Sequence, residues 1–123
     1  MGGLISLYAG LKYPRVFSKI GVISPALWFA QDSVFAYVSR TKLRQPMQVY
    51  LVAGEQESET MVPLMAAMRD SLQKAGVKPT AISYRAVPDG KHAEWFWRRE
   101  FPAAYQWLYK SNAPGGKKAR ARQ

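Results

Sequence analysis

A single histidine and a cluster of glutamates are the residues of this sequence best suited to moving protons. His92 follows a Pro-Asp-Gly turn, and imidazole is the side chain that exchanges a proton most readily near neutral pH. Glu55, Glu57 and Glu59 follow Gly54. Glu59 suits the positive end of a helix dipole, whereas the other two glutamates precede the expected helix. A carboxylate there could orient the imidazole as a general base.

A hydroxyl nucleophile is what this acid and base would still need. Ser6 lies within an expected helix, Ser24 precedes a proline, and Ser58 stands among glutamates. None of the three shows the sharp strand-to-helix turn from which a hydroxyl projects off a sheet. The chain has no cysteine, which excludes disulfides, thiolate metal ligands and cysteine nucleophiles. We expect no metal site and no cofactor.

The segments that must position these residues alternate between helical and extended patterns. Helices are predicted over 3–13 and from a cap at Asp32 or Ser33 through Leu43. A third helix is predicted along the apolar stripe from Met61 to Leu72, and Gly76 ends it. A fourth is predicted over 92–110, where Pro102 kinks the helix or opens its second half. Strands are predicted over 16–24, 45–54 and 80–90.

This α-β-α-β-α-β-α order predicts an α/β fold, with three parallel strands and flanking helices. In such sheets ligands bind at the carboxyl ends of the strands, where "SPALW", "GEQESE" and "DGKH" lie. Adjacent parallel strands are only about 5 Å apart, so the glutamate and histidine loops can meet. Trp28 in "SPALW" is the tryptophan expected at the ligand edge, while Trp95, Trp97 and Trp107 are expected to serve packing.

Charge and composition narrow the classes of partner. The net charge is +10, and four of the 18 basic residues lie in the C-terminal segment "APGGKKARARQ". We predict a partial domain over 1–112 and a basic disordered tail over 113–123. The remaining basic residues are scattered and no recognition motif accompanies them, so a nucleic-acid partner is not expected. No membrane span or signal peptide is visible, and the compartment, cytoplasmic or periplasmic, stays open.

The opening stretch "MGGLISLYAGLKYPRVFSKIGVISPALWF" resembles the segment that follows the nucleophile in α/β-hydrolases of the putative-esterase family. That family includes esterase D-like and enterochelin-esterase-like enzymes. Its nucleophile elbow reads Gly-x-Ser-Met-Gly-Gly, and Met1-Gly2-Gly3 matches the last three positions. The resemblance implies the C-terminal half of an α/β-hydrolase fold, with the serine expected immediately before Met1, outside this sequence. It also implies that a side chain at Gly3 would collide with the preceding strand, and that the Met1 amide belongs to the oxyanion hole.

The later segments carry the resemblance further along the chain. "VYLVAGEQE" resembles the family's acid strand and implies Glu57 as the acid, with Glu55 as fallback. "VPDGKHAEWFW" resembles the histidine loop and implies His92 as the base, and "SPALW" implies that Trp28 lines the acyl pocket. The implied activity is hydrolysis of a small-molecule carboxylic ester.

Two expectations follow from the missing serine and the missing upstream strand. The chain is expected to be inactive alone, and the bare edge of its first strand is expected to promote self-association. The rival interpretation is a non-catalytic binding or assembly domain with the same fold.

Overall fold

The computed structural model describes residues 1–110, which follow the predicted alternation of helices and strands. The helices are α1 (Gly2–Lys12), α2 (Gln31–Arg40), α3 (Met61–Ala75) and α4 (Glu94–Lys110), and the strands are β1 (Lys19–Ile23), β2 (Gln48–Gly54) and β3 (Ile82–Val87). A short 3₁₀ helix at Pro79–Ala81 precedes β3. The basic tail predicted over 113–123 lies outside the described residues.

The three strands form one parallel sheet in the order β1-β2-β3, which confirms the predicted topology. The central strand β2 is buried on both of its faces. Val49, Leu51 and Ala53 point to one core, whereas Tyr50 and Val52 point to the other. Because neither face of β2 meets water, its sequence is a continuous apolar run and not an alternating one.

Helices cover both faces of this sheet. Helices α1, α2 and α3 contribute Leu7, Val38 and Met68 to the larger core on one face. Helix α4 covers the opposite face with Phe96 and Leu108. The result is a three-layer α/β/α arrangement, consistent with part of an α/β-hydrolase fold.

The predicted limits of α2 are wrong at both ends. The helix begins at Gln31 and its N-cap residue is Ala30, with no side-chain cap, so Asp32 lies in the first turn. It ends at Arg40, because Leu43 donates its backbone N–H to the Ala75 carbonyl oxygen at 2.8 Å. The connection after α2 therefore pairs with the end of α3 and does not extend the helix.

Gly76 ends α3 as predicted, in a backbone conformation that favours glycine, with φ at +121°. Helix α4 starts at Glu94, so His92 remains in the loop before it. The helix is assigned continuously through Pro102, and no second helix opens there. Within residues 1–110, no helix is both long and apolar enough to cross a membrane.

Candidate active site

The loops after the three strands meet at the carboxyl edge of the sheet. Backbone hydrogen bonds join the loop after β2 to the loop after β3. The Glu55 N–H donates to the Val87 carbonyl oxygen at 2.9 Å, and the Gln56 N–H donates to the Gly90 carbonyl oxygen at 2.9 Å. These bonds extend the β2–β3 ladder past its last pair and fix the distance between the glutamate and histidine loops.

Two glycines allow this close approach. The Cα atom of Gly90 lies 2.6 Å from the position that a Cβ on Gly54 would occupy, and the Gly90 carbonyl group is closer still. A Cβ on Gly90 would also meet the Phe96 ring at 2.6 Å. Since a real Cβ atom does not fit at such distances, any side chain at either position would push the two loops apart.

Glu57 provides a buried carboxylate at the centre of the site, with only 1% of its side chain exposed. Its Oε2 atom accepts the Gly54 backbone N–H at 2.6 Å and the Ser24 hydroxyl at 2.6 Å. Its Oε1 atom lies 2.8 Å from Nδ1 of His92. Buried charge is tolerated in proteins when hydrogen bonds surround it, and this carboxylate has three partners.

His92 lies at the boundary between this network and solvent, with 54% of its side chain exposed. The Trp97 ring meets the imidazole edge to face, with ring centroids 4.9 Å apart. One edge of the imidazole is therefore held by Glu57 and a neighbouring ring limits its rotation. The structure thus brings together the two residues, Glu57 and His92, that the sequence singled out as acid and base.

Ser24 connects this pair to β1. It follows the last residue of β1, is buried, and adopts a left-handed backbone conformation with φ at +47°, which is uncommon for a residue with a side chain. Its Oγ atom accepts the Trp97 indole N–H at 3.0 Å and donates to Glu57. The sequence patterns indicate Ser24 only as a candidate nucleophile and Trp97 only as a packing residue, and neither hydrogen bond can be predicted from them.

A cleft of about 310 Å³ opens beside the imidazole. Its walls bring His92 and Trp97 opposite the start of α1, and its lining residues are Met1, Gly2, Gly3, Ser6, Gly21, Ile23, Ser24, His92 and Trp97. Met1, Gly2 and Gly3, which are 54 to 91 positions away from Glu57 and His92 in sequence, thus border the same space. The predicted oxyanion residue Met1 is part of this wall, although its role stays a prediction.

Trp28, the tryptophan predicted for the substrate pocket, is exposed on the loop after β1. Its side chain is 60% exposed and meets Phe29 edge to face, with centroids 6.1 Å apart. It is not among the described residues that line the cleft beside His92. Its assignment to the acyl pocket remains a prediction, and the tryptophan that the cleft does contain is Trp97.

Within the described residues, the end of β1 leaves no room for a side chain at Gly3. A Cβ at this position would come within 2.8 Å of the Ile23 carbonyl oxygen and 3.1 Å of the Pro25 Cα atom. The contact is with the end of β1, which follows α1 in the chain. Glycine at this position therefore lets the start of α1 lie directly against the loop that carries Ser24.

An ion pair closes the loop that carries His92. Arg99 on α4 donates from both terminal nitrogens to Asp89 in the turn after β3, at 2.7 and 2.9 Å. This hydrogen-bonded guanidinium lowers the pKa of Asp89 below its ordinary value, and the Asp89 carboxylate raises the pKa of Arg99 further above neutrality. The pair ties the segment before His92 to the helix after it.

Neither Ser6 nor Ser58 shares this network. Ser6 lies on α1 at the cleft wall, and the Ser58 hydroxyl accepts the Met61 N–H at 3.1 Å at the start of α3. Among residues 1–110, no group of three or more histidines, cysteines or acidic residues is placed to hold a metal ion. The chemistry available at this edge is that of a carboxylate–imidazole pair beside an open cleft.

A parallel three-layer sheet with an acid and a histidine on the loops after adjacent strands is typical of hydrolases of the α/β class. The sequence profile of the Putative esterase family matches residues 1–108. The chain belongs to the Putative esterase family.

Two curated relatives are similar to this chain at low identity. The chain is 28% identical over 119 residues to the uncharacterized protein YbbA of Bacillus subtilis (strain 168), covering 91% of this chain and 47% of that protein. It is 25% identical over 129 residues to the iron(III) enterobactin esterase of Dickeya dadantii (strain 3937), covering 92% of this chain and 28% of that protein. The chain thus spans less than half the length of either relative. The comparison with solved structures yields no match.

Proposed function

We propose that this chain forms the acid-and-base part of a serine carboxylic-ester hydrolase. The observation that carries the proposal is the 2.8 Å contact between Glu57 Oε1 and His92 Nδ1 at the edge of a cleft. Membership in the Putative esterase family supports the reaction class, and the relative named as an iron(III) enterobactin esterase supports an ester as substrate.

In this proposal the nucleophile is a serine directly before Met1 in the complete protein. The likeness of Met1-Gly2-Gly3 to the end of the family's elbow motif supports that position, as does the place of these residues on the cleft wall. His92 takes the serine proton as the hydroxyl oxygen attacks the ester carbonyl carbon. Glu57 stabilises the resulting imidazolium, and the Met1 backbone N–H donates to the oxyanion.

Collapse of the tetrahedral intermediate breaks the bond between the carbonyl carbon and the alcohol oxygen. His92 returns its proton to the leaving alcohol, and the acyl group stays on the serine. Water, deprotonated by the same imidazole, then attacks the acyl-enzyme, releases the carboxylic acid and restores the serine hydroxyl. The chain's own residues supply the base and the orienting acid in both halves of this cycle.

We further propose that residues 1–123 without such a serine do not hydrolyse esters. The hydroxyl nearest to the pair is that of Ser24, and its proton is directed to Glu57 and not to the imidazole. A general base without an aligned nucleophile retains only weak activation of water.

The direct test joins the chain to an upstream segment of a family member that ends in Gly-x-Ser and measures hydrolysis of p-nitrophenyl acetate. We expect turnover in the joined protein, labelling of its serine by a fluorophosphonate, and loss of both on His92→Ala. Lys91→Ala, an exposed change in the same loop, is the matched control and should retain turnover. A folded joined protein that binds an ester but never turns it over would favour the binding-domain alternative.

A further inference from the structure

The hydrogen bonds around Glu57 have a defined donor-to-acceptor order. A residue other than the proposed acid and base, Trp97, determines this order. The indole N–H of Trp97 can only donate, because indole nitrogen has no lone pair available to accept. Its partner at 3.0 Å is the Ser24 Oγ atom, which must therefore accept. The single hydroxyl proton of Ser24 is then free for its second partner, Glu57 Oε2, at 2.6 Å.

The donors around Glu57 likewise determine the hydrogen-bond roles of its two carboxylate oxygens. Oε2 already receives the Gly54 N–H and the Ser24 hydroxyl, so this oxygen carries no proton of its own. Both of these partners donate, so Oε2 acts only as an acceptor. The remaining oxygen, Oε1, then accepts from His92 Nδ1, which must hold a proton. The other ring nitrogen, Nε2, is left without one and is the nitrogen able to accept.

We infer that Ser24 and Trp97 are positioning residues that set the tautomer of His92 through Glu57. This inference rests on the proposed function for its catalytic meaning but not for its geometry. Ser24 acts on the carboxylate, while Trp97 acts both on Ser24 and, through its ring face or edge, on the imidazole 4.9 Å away. Neither touches the reacting atoms of an ester in this scheme.

The backbone of Ser24 supports a specific role. A left-handed φ of +47° is unfavourable for serine and is natural for glycine, yet the position carries a buried hydroxyl with two hydrogen bonds. Its N–H also donates to the Val52 carbonyl oxygen at 2.8 Å, which anchors the residue to β2. The hydroxyl is thus held by the sheet itself at the height of the Glu57 carboxylate.

The test uses the tautomer of His92 in the full 123-residue chain, labelled with ¹⁵N. Because His92 is the only histidine, its two ring nitrogens are the only imidazole signals in the spectrum. At alkaline pH we expect the wild-type ring to be mainly the Nδ1–H tautomer. Ser24→Gly removes the hydroxyl and suits the left-handed backbone. Trp97→Phe removes the indole donor and makes the ring smaller, but keeps an aromatic side chain at this position. Each should lower the Nδ1–H to Nε2–H ratio by about fivefold, the effect of one lost hydrogen bond.

Two matched controls keep this result specific. Ser18→Gly changes an exposed serine just before β1, and Trp95→Phe changes a tryptophan whose ring contacts Phe96 and Arg99. Both should leave the ratio at its wild-type value. If Trp97→Phe fails to fold, Ser24→Gly still decides the matter, because it should also move the Trp97 indole N–H signal upfield as that proton loses its acceptor.

A wild-type ring in the Nε2–H form, or an unchanged ratio in folded Ser24→Gly, would overturn the inference. Neither readout depends on ester hydrolysis, so failure of the proposed function is detected separately by the joined protein. If that protein turns over p-nitrophenyl acetate, Ser24→Gly should lower kcat by about tenfold with KM unchanged, since only the orientation of the base is affected.

Discussion

Replacing Glu57 by glutamine tests its proposed role as the acid with the smallest change in side-chain shape. The amide oxygen can still accept the Gly54 and Ser24 donors, which directs the amide NH₂ towards His92 Nδ1. That nitrogen must then accept, so the ring should change to the Nε2–H tautomer. We expect this change in the ¹⁵N spectrum of the chain and a loss of about a thousandfold or more in kcat of the joined protein.

Glu55→Gln is the control for this prediction. Glu55 is exposed, and its link to the histidine loop is made by its backbone N–H, which the substitution does not alter. In Glu55→Gln, the ratio of His92 tautomers and the turnover of the joined protein should match the wild type. If Glu55→Gln had the larger effect, Glu55 and not Glu57 would be the acid.

The sequence was sufficient to single out His92 and Glu57, with Glu55 as fallback, and the structure places Glu57 against His92. It was not sufficient to identify the residues that hold this pair. Glu57 and His92 are recognisable because each follows a predicted strand, and parallel topology brings such loops together. The contact between Ser24 and Trp97 joins residues 73 positions apart and depends on a left-handed backbone turn. No local pattern signals that turn, since the Ser-Pro pair in the sequence is compatible with many loops.

Among the elements, the sequence predicted the number, type and order but missed several limits. Local sequence signals predicted a helix limit correctly where a single residue determines it, as Gly76 does at the end of α3. They failed for α2, where tertiary contacts decide. The predicted extension to Leu43 is prevented because its N–H pairs with Ala75 of another helix, a contact that helical periodicity cannot reveal.

The contact between the loops after β2 and β3 should be intolerant of a single methyl group. In Gly54→Ala the new Cβ would overlap the backbone of Gly90, so the loops must separate. We expect a loss of about 1–3 kcal/mol in the free energy of unfolding, typical of overpacking, together with loss of the His92–Glu57 contact. Urea denaturation and the imidazole ¹⁵N signals measure the two effects.

Gly2→Ala is the matched control for the loop contact. A Cβ on Gly2 meets nothing within 4 Å, and the residue opens α1. Alanine should therefore be neutral or stabilising by up to about 1 kcal/mol, because it favours the helix. Equal unfolding midpoints for the wild type and Gly54→Ala would contradict the close approach of the loops.

The Asp89–Arg99 pair predicts a pH dependence at the junction of β3 and α4. The pKa of Asp89 is lowered in the folded chain, mainly by its hydrogen bonds to Arg99. The stability that the pair contributes is therefore present above the ordinary Asp pKa of 3.8 and is lost as pH falls through the lower folded value. Asp89→Asn should lower the urea midpoint at about pH 7, and this difference from wild type should shrink at about pH 3.

The exposed Glu94–Arg98 pair is the control for this measurement. It joins positions i and i+4 on the surface of α4, at 3.6 Å. Glu94→Gln should change the midpoint much less than Asp89→Asn, since surface pairs of this kind contribute little. A difference for Asp89→Asn that grows towards acid would contradict the assigned pKa direction.

At the scale of the whole molecule, β1 is an edge strand, and within the described residues its outer side is not paired with another strand. The β1–β2 ladder is flanked by hydrogen bonds from the Ser24 N–H to Val52 and from the Gln48 N–H to Ser18, so residues of even number face β2. By alternation, Gly21 directs its N–H and carbonyl group away from the described sheet. Ile5, 63% exposed, and Phe17, 47% exposed, border the same edge.

We therefore expect residues 1–123 to associate with a second copy through this edge. Unpaired strand groups beside exposed apolar side chains favour pairing between chains, and charged residues placed there oppose it. Sedimentation velocity over a range of concentrations should show association for the wild type. Phe17→Lys should reduce it while leaving the far-UV circular dichroism spectrum unchanged.

Phe101→Lys distinguishes association through the β1 edge from non-specific association through exposed apolar surface. Phe101 is an exposed aromatic residue on α4, stacked on Tyr105, and it does not border the β1 edge. The same change in charge at this position should leave the association constant near the wild-type value if β1 carries the contact. Equal weakening by both lysines would assign the association to apolar surface in general, and a wild-type chain that sediments as a monomer at every concentration would exclude it. In the joined protein an upstream strand paired with β1 would cover this edge, so gain of turnover and loss of association should occur together.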